Sequence, residues 1–206
     1  MEMADSKKDN GRSTGKPGRP RSTTVHQAIF DAALALLEEM DLHNVTMENI
    51  ALRAGTSKTT AYRWWPNKTA VIIDAFLAAN EANIPFPDTG SVREDVRLQM
   101  RRLGKLLSGP GGRVIGSLMA AGQGDEEVAE TFRSHWLKPR KAAAMLVLER
   151  GKKRGELAAD VDVDLLWDSL YGPIYFRLLT GQSITPKYID NLNRTIFDAL
   201  LKKAHR

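Results

Sequence analysis

The stretch from Thr46 to Lys68, TMENIALRAGTSKTTAYRWWPNK, constrains this chain more than any other. Thr46 is a hydroxyl N-cap directly ahead of Met47, Ile50, Ala51 and Ala54, whose spacing is one face of a short helix. Gly55 follows where the chain must turn tightly, since glycine enters the left-handed backbone region without steric cost. Ser57 is a second N-cap and opens another short helix through about Trp64, which Pro66 and Asn67 end. Two short helices joined by a glycine turn form a helix-turn-helix. Ala51 is small where the helices must cross, and Ala61 and Trp65, four apart, face the same way and pack inward. Lys58, Thr59, Tyr62 and Arg63 remain for solvent or ligand.

The distribution of charge points the same way. Arg53, Lys58, Arg63 and Lys68 lie in a run without a single acid. A second basic run, Lys7, Lys8, Arg12, Lys16, Arg19 and Arg21 against Asp9 alone, sits in a polar stretch with no large apolar side chain after Met3. Such a segment cannot bury enough surface to offset its ordering entropy, so residues 1–22 are read as a flexible basic tail. Asp31, Glu38, Glu39, Asp41 and Glu48 lie between the two runs. The net charge of +5 alone says only that acidic partners suit the chain.

Ahead of the motif, a helix opening at Thr23 or Thr24 carries Ile29, Ala33, Leu36, Leu37 and Met40 as an apolar stripe. Behind it a fourth helix covers about 68–80, and IPFPDTGS (84–91) is a connector. Helical texture continues over 92–108, 112–122, 126–153 with a bend at Pro139, 163–181 and 186–203, with no period-2 strand. The expected fold is all-α: a three-helix, homeodomain-like DNA-binding domain over 23–80 and a helical body over 84–206.

Several classes of function fall away. Without cysteine there is neither a disulfide framework nor a thiolate metal site, which suits a reducing cytoplasm. The N-terminus lacks the apolar core of a signal peptide, and no apolar run reaches the ~18 residues of a membrane helix, so a cytoplasmic protein without membrane contact is expected. His26, His43, His135 and His205 are scattered. The glycine-rich SGPGGRV (108–114) lacks the Lys-Ser/Thr of a phosphate loop, and Asp160, Asp162 and Asp164 lack the glycine and later Glu of a calcium loop. No metal, cofactor or enzymatic activity is expected; an enzyme on a helical scaffold is the distant alternative. A basic membrane-surface or scaffold protein, acting through Lys138–Lys141 and Arg150–Arg154, is another rival. Only a specific regulator would hold one duplex against excess random DNA.

The segment resembles the TetR family of regulators, through Thr46, Ile50, Ala51, Ala54, Gly55, Thr56, Ser57, Tyr62, Trp65 and Lys68, with Ala32, Ala33, Leu36 and Leu37 upstream. Asp41-Leu42, Thr56, Trp65 and Pro66 depart from the family pattern in size or turn type and leave the helix spacing intact. The likeness covers about residues 23–80; beyond, it is one of helical texture and length. It implies a cytoplasmic, homodimeric transcriptional regulator that binds a palindromic operator in double-stranded DNA and answers a small-molecule effector. Repression is the family's usual mode; an activator or a ligand-independent regulator of the same fold is the alternative.

By the same resemblance Lys58, Thr59 and Thr60 begin a recognition helix and reach base edges in the major groove. Thr46 and Tyr62 match phosphate-binding positions, although Thr46 and Ser57 also serve as plain caps. Trp64 stacks at the groove edge, Arg63 adds charge, and Lys68 clamps a phosphate at the next helix. Arg19 and Arg21 reach the neighbouring minor groove. In the body, Leu170, Ile174 and Leu178 on one helix and Leu192, Ile196 and Ala199 on the next are the expected dimer surface. Leu103, Met119, Phe132, Trp136, Trp167, Tyr171 and Tyr175 are the candidate effector lining, although most of them are expected to be plain core, and His135, Arg101, Arg177 and Gln123 are the candidates to orient a ligand.

Overall fold

The computed structural model describes residues 21–80 and 85–203. Every regular element among them is helical. The order is α1 (Arg21–Glu39), a 3-10 turn (Leu42–Asn44), α2 (Met47–Arg53), α3 (Lys58–Tyr62), α4 (Lys68–Asn80), α5 (Val92–Leu107), α6 (Pro110–Ala121), α7 (Glu126–Phe132), a π turn (Arg133–Leu137), α8 (Lys138–Lys153), α9 (Val163–Leu179) and α10 (Pro186–Lys203). Most of the basic tail, Arg19 included, lies outside the described residues. Arg21 is the first residue of α1, two residues ahead of the expected cap.

Two differences from the sequence reading have a proline at their root. Helix α6 begins at Pro110 instead of residue 112, because proline at the first helical position needs no N–H partner and already holds a helical φ. The following Gly112 is buried at the elbow between α5 and α6, where any Cβ would overlap the Leu107 carbonyl oxygen. The long helix expected over 126–153 is divided by the π turn. Pro139 lacks the N–H that would bond the His135 carbonyl, and the chain widens just ahead of it.

Helices α1 to α4 pack around Ile29, Ala33, Val45, Ile50, Ala61, Trp65 and Ile72. In the body α5 is central and touches α6, α8, α9 and α10. Polar ties cross long stretches of sequence: Tyr171 donates to Gln99 Oε1 at 2.7 Å, Trp136 Nε1 donates to the Tyr175 hydroxyl at 2.9 Å, and Arg97 and Arg101 both bind Asp190. Buried Asp95 accepts from the Thr89 amide and hydroxyl, each at 2.7 Å, and so fixes the connector ahead of α5.

The candidate effector residues lie in the interior, as most of them were expected to do. Leu103, Phe132, Trp136, Trp167, Tyr171 and Tyr175 are buried in the packed core, and Met119 packs against it. Trp167 lies stacked on Tyr171 at 3.9 Å between ring centroids. The polar tips of Trp136, Tyr171 and Tyr175 bond to one another or to Gln99, which closes the space they would otherwise surround, and these seven residues line neither of the two described cavities. The orienting groups are engaged elsewhere: Arg101 with Asp190, Arg177 with the Ser183 carbonyl and the Tyr188 ring, Gln123 with the Met119 carbonyl, and His135 with Asp74.

The expected dimer stripe is also turned. Leu170 and Ile174 are fully buried in the protomer's own core, Leu178, Leu192 and Ile196 pack against it, and only Ala199 is exposed. Helix α9 is apolar around much of its circumference, so an i+4 stripe alone does not say which face looks outward. The outward face carries Leu165, Phe176 and Leu179, 64%, 61% and 53% exposed. No helix among the described residues is long and apolar enough to cross a membrane.

Candidate nucleic-acid interface

The geometry of α2 and α3 is made by contacts a few residues long. Thr46 Oγ1 accepts from the Asn49 amide at 3.2 Å, and Asn49 Oδ1 accepts from the Thr46 amide at 2.7 Å, a reciprocal capping box. At the other end of α2 the Thr56 amide bonds the Ala51 carbonyl and the Gly55 amide bonds the Leu52 carbonyl. This paired closure requires a left-handed residue, and Gly55 has a φ of 64°. The Ser57 hydroxyl then caps α3 by accepting from the Thr60 amide at 3.1 Å. Ala61 and Trp65, 0% and 3% exposed, hold α3 against the rest of the head.

Lys58, Thr59, Tyr62, Arg63 and Trp64 are all exposed and Thr46 is exposed beside them. Thr60 is half-buried, and its hydroxyl pairs with that of Ser57 at 2.8 Å. The outer face of α3 is therefore a surface of one hydroxyl, one phenol, an indole and two cations, all reachable. Lys58 lies 5.5 Å from the Tyr62 ring centre and Arg63 lies 5.8 Å from that of Trp64. The edge of Trp64 also meets His26 of α1, with centroids 4.5 Å apart, which limits how the indole can swing.

The acid-free run does not translate into four free cations. Arg53 forms a two-pronged bond with Glu39, at 2.5 and 2.7 Å. Lys58 is paired with Glu48, whose carboxylate holds the ammonium above its ordinary range and is itself held low in return. Lys68, expected to clamp a phosphate, instead gives its ammonium to the carbonyls of Leu42, His43 and Val45 at 3.0, 3.2 and 2.6 Å. Burial there lowers its pKa. Three acceptors satisfy all three donors of an ammonium, so Lys68 fastens the turn ahead of Thr46. Arg63 has no ion-pair partner among the described residues. The run was acid-free only locally, because the partners of Arg53 and Lys58 come from Glu39 and Glu48, upstream of it.

Two groups overlooked as functional tie this head to the body. Asp74 of α4 accepts from the Trp65 indole at 2.9 Å through one oxygen and lies 3.0 Å from His135 Nδ1 through the other. Asn67 caps α4 by accepting from the Ala70 amide at 2.9 Å, and its amide group reaches Glu127 and Thr131 of α7 at 2.8 and 3.1 Å. Asn three residues ahead of Ala70 was the available signal for the cap; nothing local marks its partners on α7.

Residues 29–75 match the model of bacterial regulatory proteins of the tetR family, and residues 86–196 match the tetracyclin repressor-like C-terminal domain. The chain is 42% identical over 183 residues to the HTH-type transcriptional regulator YdeS of Bacillus subtilis, covering 88% of this chain and 92% of that one. It is 30% identical over 188 residues to the DNA-binding transcriptional repressor TetR of Mycobacteroides abscessus, 90% and 98% of the two chains. The crystal structure of the TetR family transcription regulator SCO0332 superposes with a TM-score of 0.74 at 34% identity, over 84% of this chain and 97% of that one. With a capped, outward-facing recognition helix ahead of a helical body, this chain belongs to the TetR family of DNA-binding transcriptional regulators.

Proposed function

We propose that the chain is a homodimeric repressor that leaves a palindromic operator when a small-molecule effector binds. The observation that carries this is the outer face of α3, where Lys58, Thr59, Tyr62, Arg63 and Trp64 are exposed while Ala61 and Trp65 anchor the helix from behind. Lys58 and Thr59 read base edges from the start of the helix; Thr46, Tyr62 and Arg63 hold phosphates; Trp64 lies against the sugar edge. The sense of regulation follows the repressor among the relatives.

Pairing is assigned to α9 and α10, with Leu165, Phe176 and Leu179 as its apolar centre, because large side chains so exposed on one helix face mark an interaction surface. Release requires that the effector favour a dimer whose α3 helices are wrongly spaced. The Trp65–Asp74–His135 chain and the Asn67–Thr131 bond are the direct links by which a shift in the body reaches the reading head.

Selection of bound duplexes from a random pool tests the reading. The expected product is a two-fold symmetric sequence with half-sites about 34–36 Å apart or at a multiple of that spacing. Recovery of asymmetric sequences, or no enrichment, sinks it. Phe176→Glu is expected to yield monomers in light scattering and to abolish selective binding.

A further inference from the structure

Where the reading head meets the body there is a cavity of 640 Å³. Small-molecule sites span roughly 300–1,000 Å³, so this space suits one ligand of ordinary size. Leu34 and Leu37 of α1, Phe76 of α4, Leu106 of α5 and Val114 of α6 make its apolar walls. The body lip, from α5 and α6, carries Arg102, Lys105 and Arg113; the head lip carries Glu38 of α1 and Asp41 just beyond it. Lys105 and Arg113 have neither an ion-pair nor a hydrogen-bond partner among the described residues, and Arg102 donates only to the Pro85 carbonyl, at 2.7 Å. No ion pair bridges the two lips among the described residues.

We propose that this cleft binds a small amphipathic monoanion, with its single acidic head on Lys105 and Arg113 and its apolar body on Leu37, Phe76 and Val114. Cations beside an apolar wall complement a charged head joined to a body that leaves water. The carboxylates across the mouth repel a second negative charge, which selects a monoanion over a dianion. Granted the ligand-responsive reading on which its regulatory meaning rests, such an occupant touches α1 and α4 of the head and α5 and α6 of the body at once. It therefore binds differently to different angles between them, the condition for shifting one against the other.

Two dyes that differ by one sulfonate test the contact with the anionic head: 8-anilinonaphthalene-1-sulfonate and its neutral counterpart N-phenyl-1-naphthylamine. Fluorescence titration of the full chain is expected to show tighter binding of the sulfonate. Lys105→Gln with Arg113→Gln, both exposed and without ion-pair partners among the described residues, is expected to weaken the sulfonate about tenfold or more and the neutral dye less than twofold, as for loss of a charge-assisted contact. Val114→Trp, which fills the cleft, is expected to weaken both. Equal sulfonate affinity in the wild type and the double variant, or a signal removed by Phe176→Ser and untouched at the cleft, overturns the site. Duplex binding measured in the same samples without dye separates the two readings. Cleft-dependent dye binding without any duplex selectivity leaves the site standing and removes the proposed operator-binding repressor; the reverse removes the site alone.

Discussion

The reading head and the body are both helical, but they are held together over different distances along the chain. In α2 and α3 the decisive bonds join residues three to five apart: Thr46 with Asn49, Thr56 with Ala51, Ser57 with Thr60. In the body they join residues far apart, such as Arg101 with Asp190, 89 positions away, and Tyr171 with Gln99, 72 positions away. The head can present polar groups outward because its shape is set by its own backbone caps. The body derives its shape from long-range burial, and the Tyr171 and Tyr175 hydroxyls and the Trp136 indole are consumed in doing so.

That contrast can be broken or sharpened by substitution. The largest effect is expected at the α5–α6 elbow. Gly112→Ala forces a methyl onto the Leu107 carbonyl, at about 3 kcal/mol, or roughly 10 °C in the thermal midpoint for a chain of this size. An unchanged midpoint would show the elbow to be pliable. Next comes Tyr175→Phe, which strands the Trp136 indole N–H in the core and is expected to cost about 1–3 kcal/mol in denaturant unfolding. Duplex affinity well below the transition should not move.

In the head, Arg63→Ala is expected to reduce the salt slope of operator binding by about one unit, as for one phosphate contact. Lys68→Met is expected to lower thermal stability and leave that slope alone, since the ammonium is occupied by three carbonyls. An equal drop in slope for both would return Lys68 to the DNA. A smaller effect follows from Asp190. Its carboxyl is held below the ordinary 3.8, chiefly by the hydrogen bond from Arg101. Its contribution is therefore complete above pH 3.8 and is lost as pH falls through the lower folded value. Because the pair is partly exposed, the stability gap between wild type and Asp190→Asn is expected to be about 1 kcal/mol or less at neutral pH. It should vanish in strong acid; a gap that persists there would belong to shape, not charge. The smallest change is Glu48→Gln, which releases Lys58 and is expected to tighten random-duplex binding by a few-fold, roughly the worth of one freed surface charge. No change would mean that Lys58 is equally available while paired.

The same difference of scale explains what could be read from the residues alone. Thr46, Gly55 and Ser57 announce their bonds within five positions, so the helix-turn-helix and its exposed face were legible. The start of α10 at Pro186 was legible for the same reason. The fate of the cations was not: Arg53 and Lys58 are paired with acids on α1 and α2, and the carbonyls that bind Lys68 carry no mark in a one-letter code. Nor was the orientation of α9, where Leu170 and Phe176 are equally apolar and only packing decides that one is buried and the other exposed. The aromatics of the body could be picked out as a group, but whether such rings surround a space or fill it depends on partners such as Gln99, from another helix.

The widened turn at Arg133–Leu137 sets a rotational phase. It lets His135 reach Asp74 on the DNA-reading side while its sequence neighbour Trp136 reaches Tyr175 in the interior. An α-helix turns about 100° per residue, so removing one residue there would swing α7 by that angle relative to α8. Thr131 would be carried away from Asn67 while every individual side chain stayed intact. A chain shortened in this way should still fold two well-formed halves, yet neither would register what the other is doing.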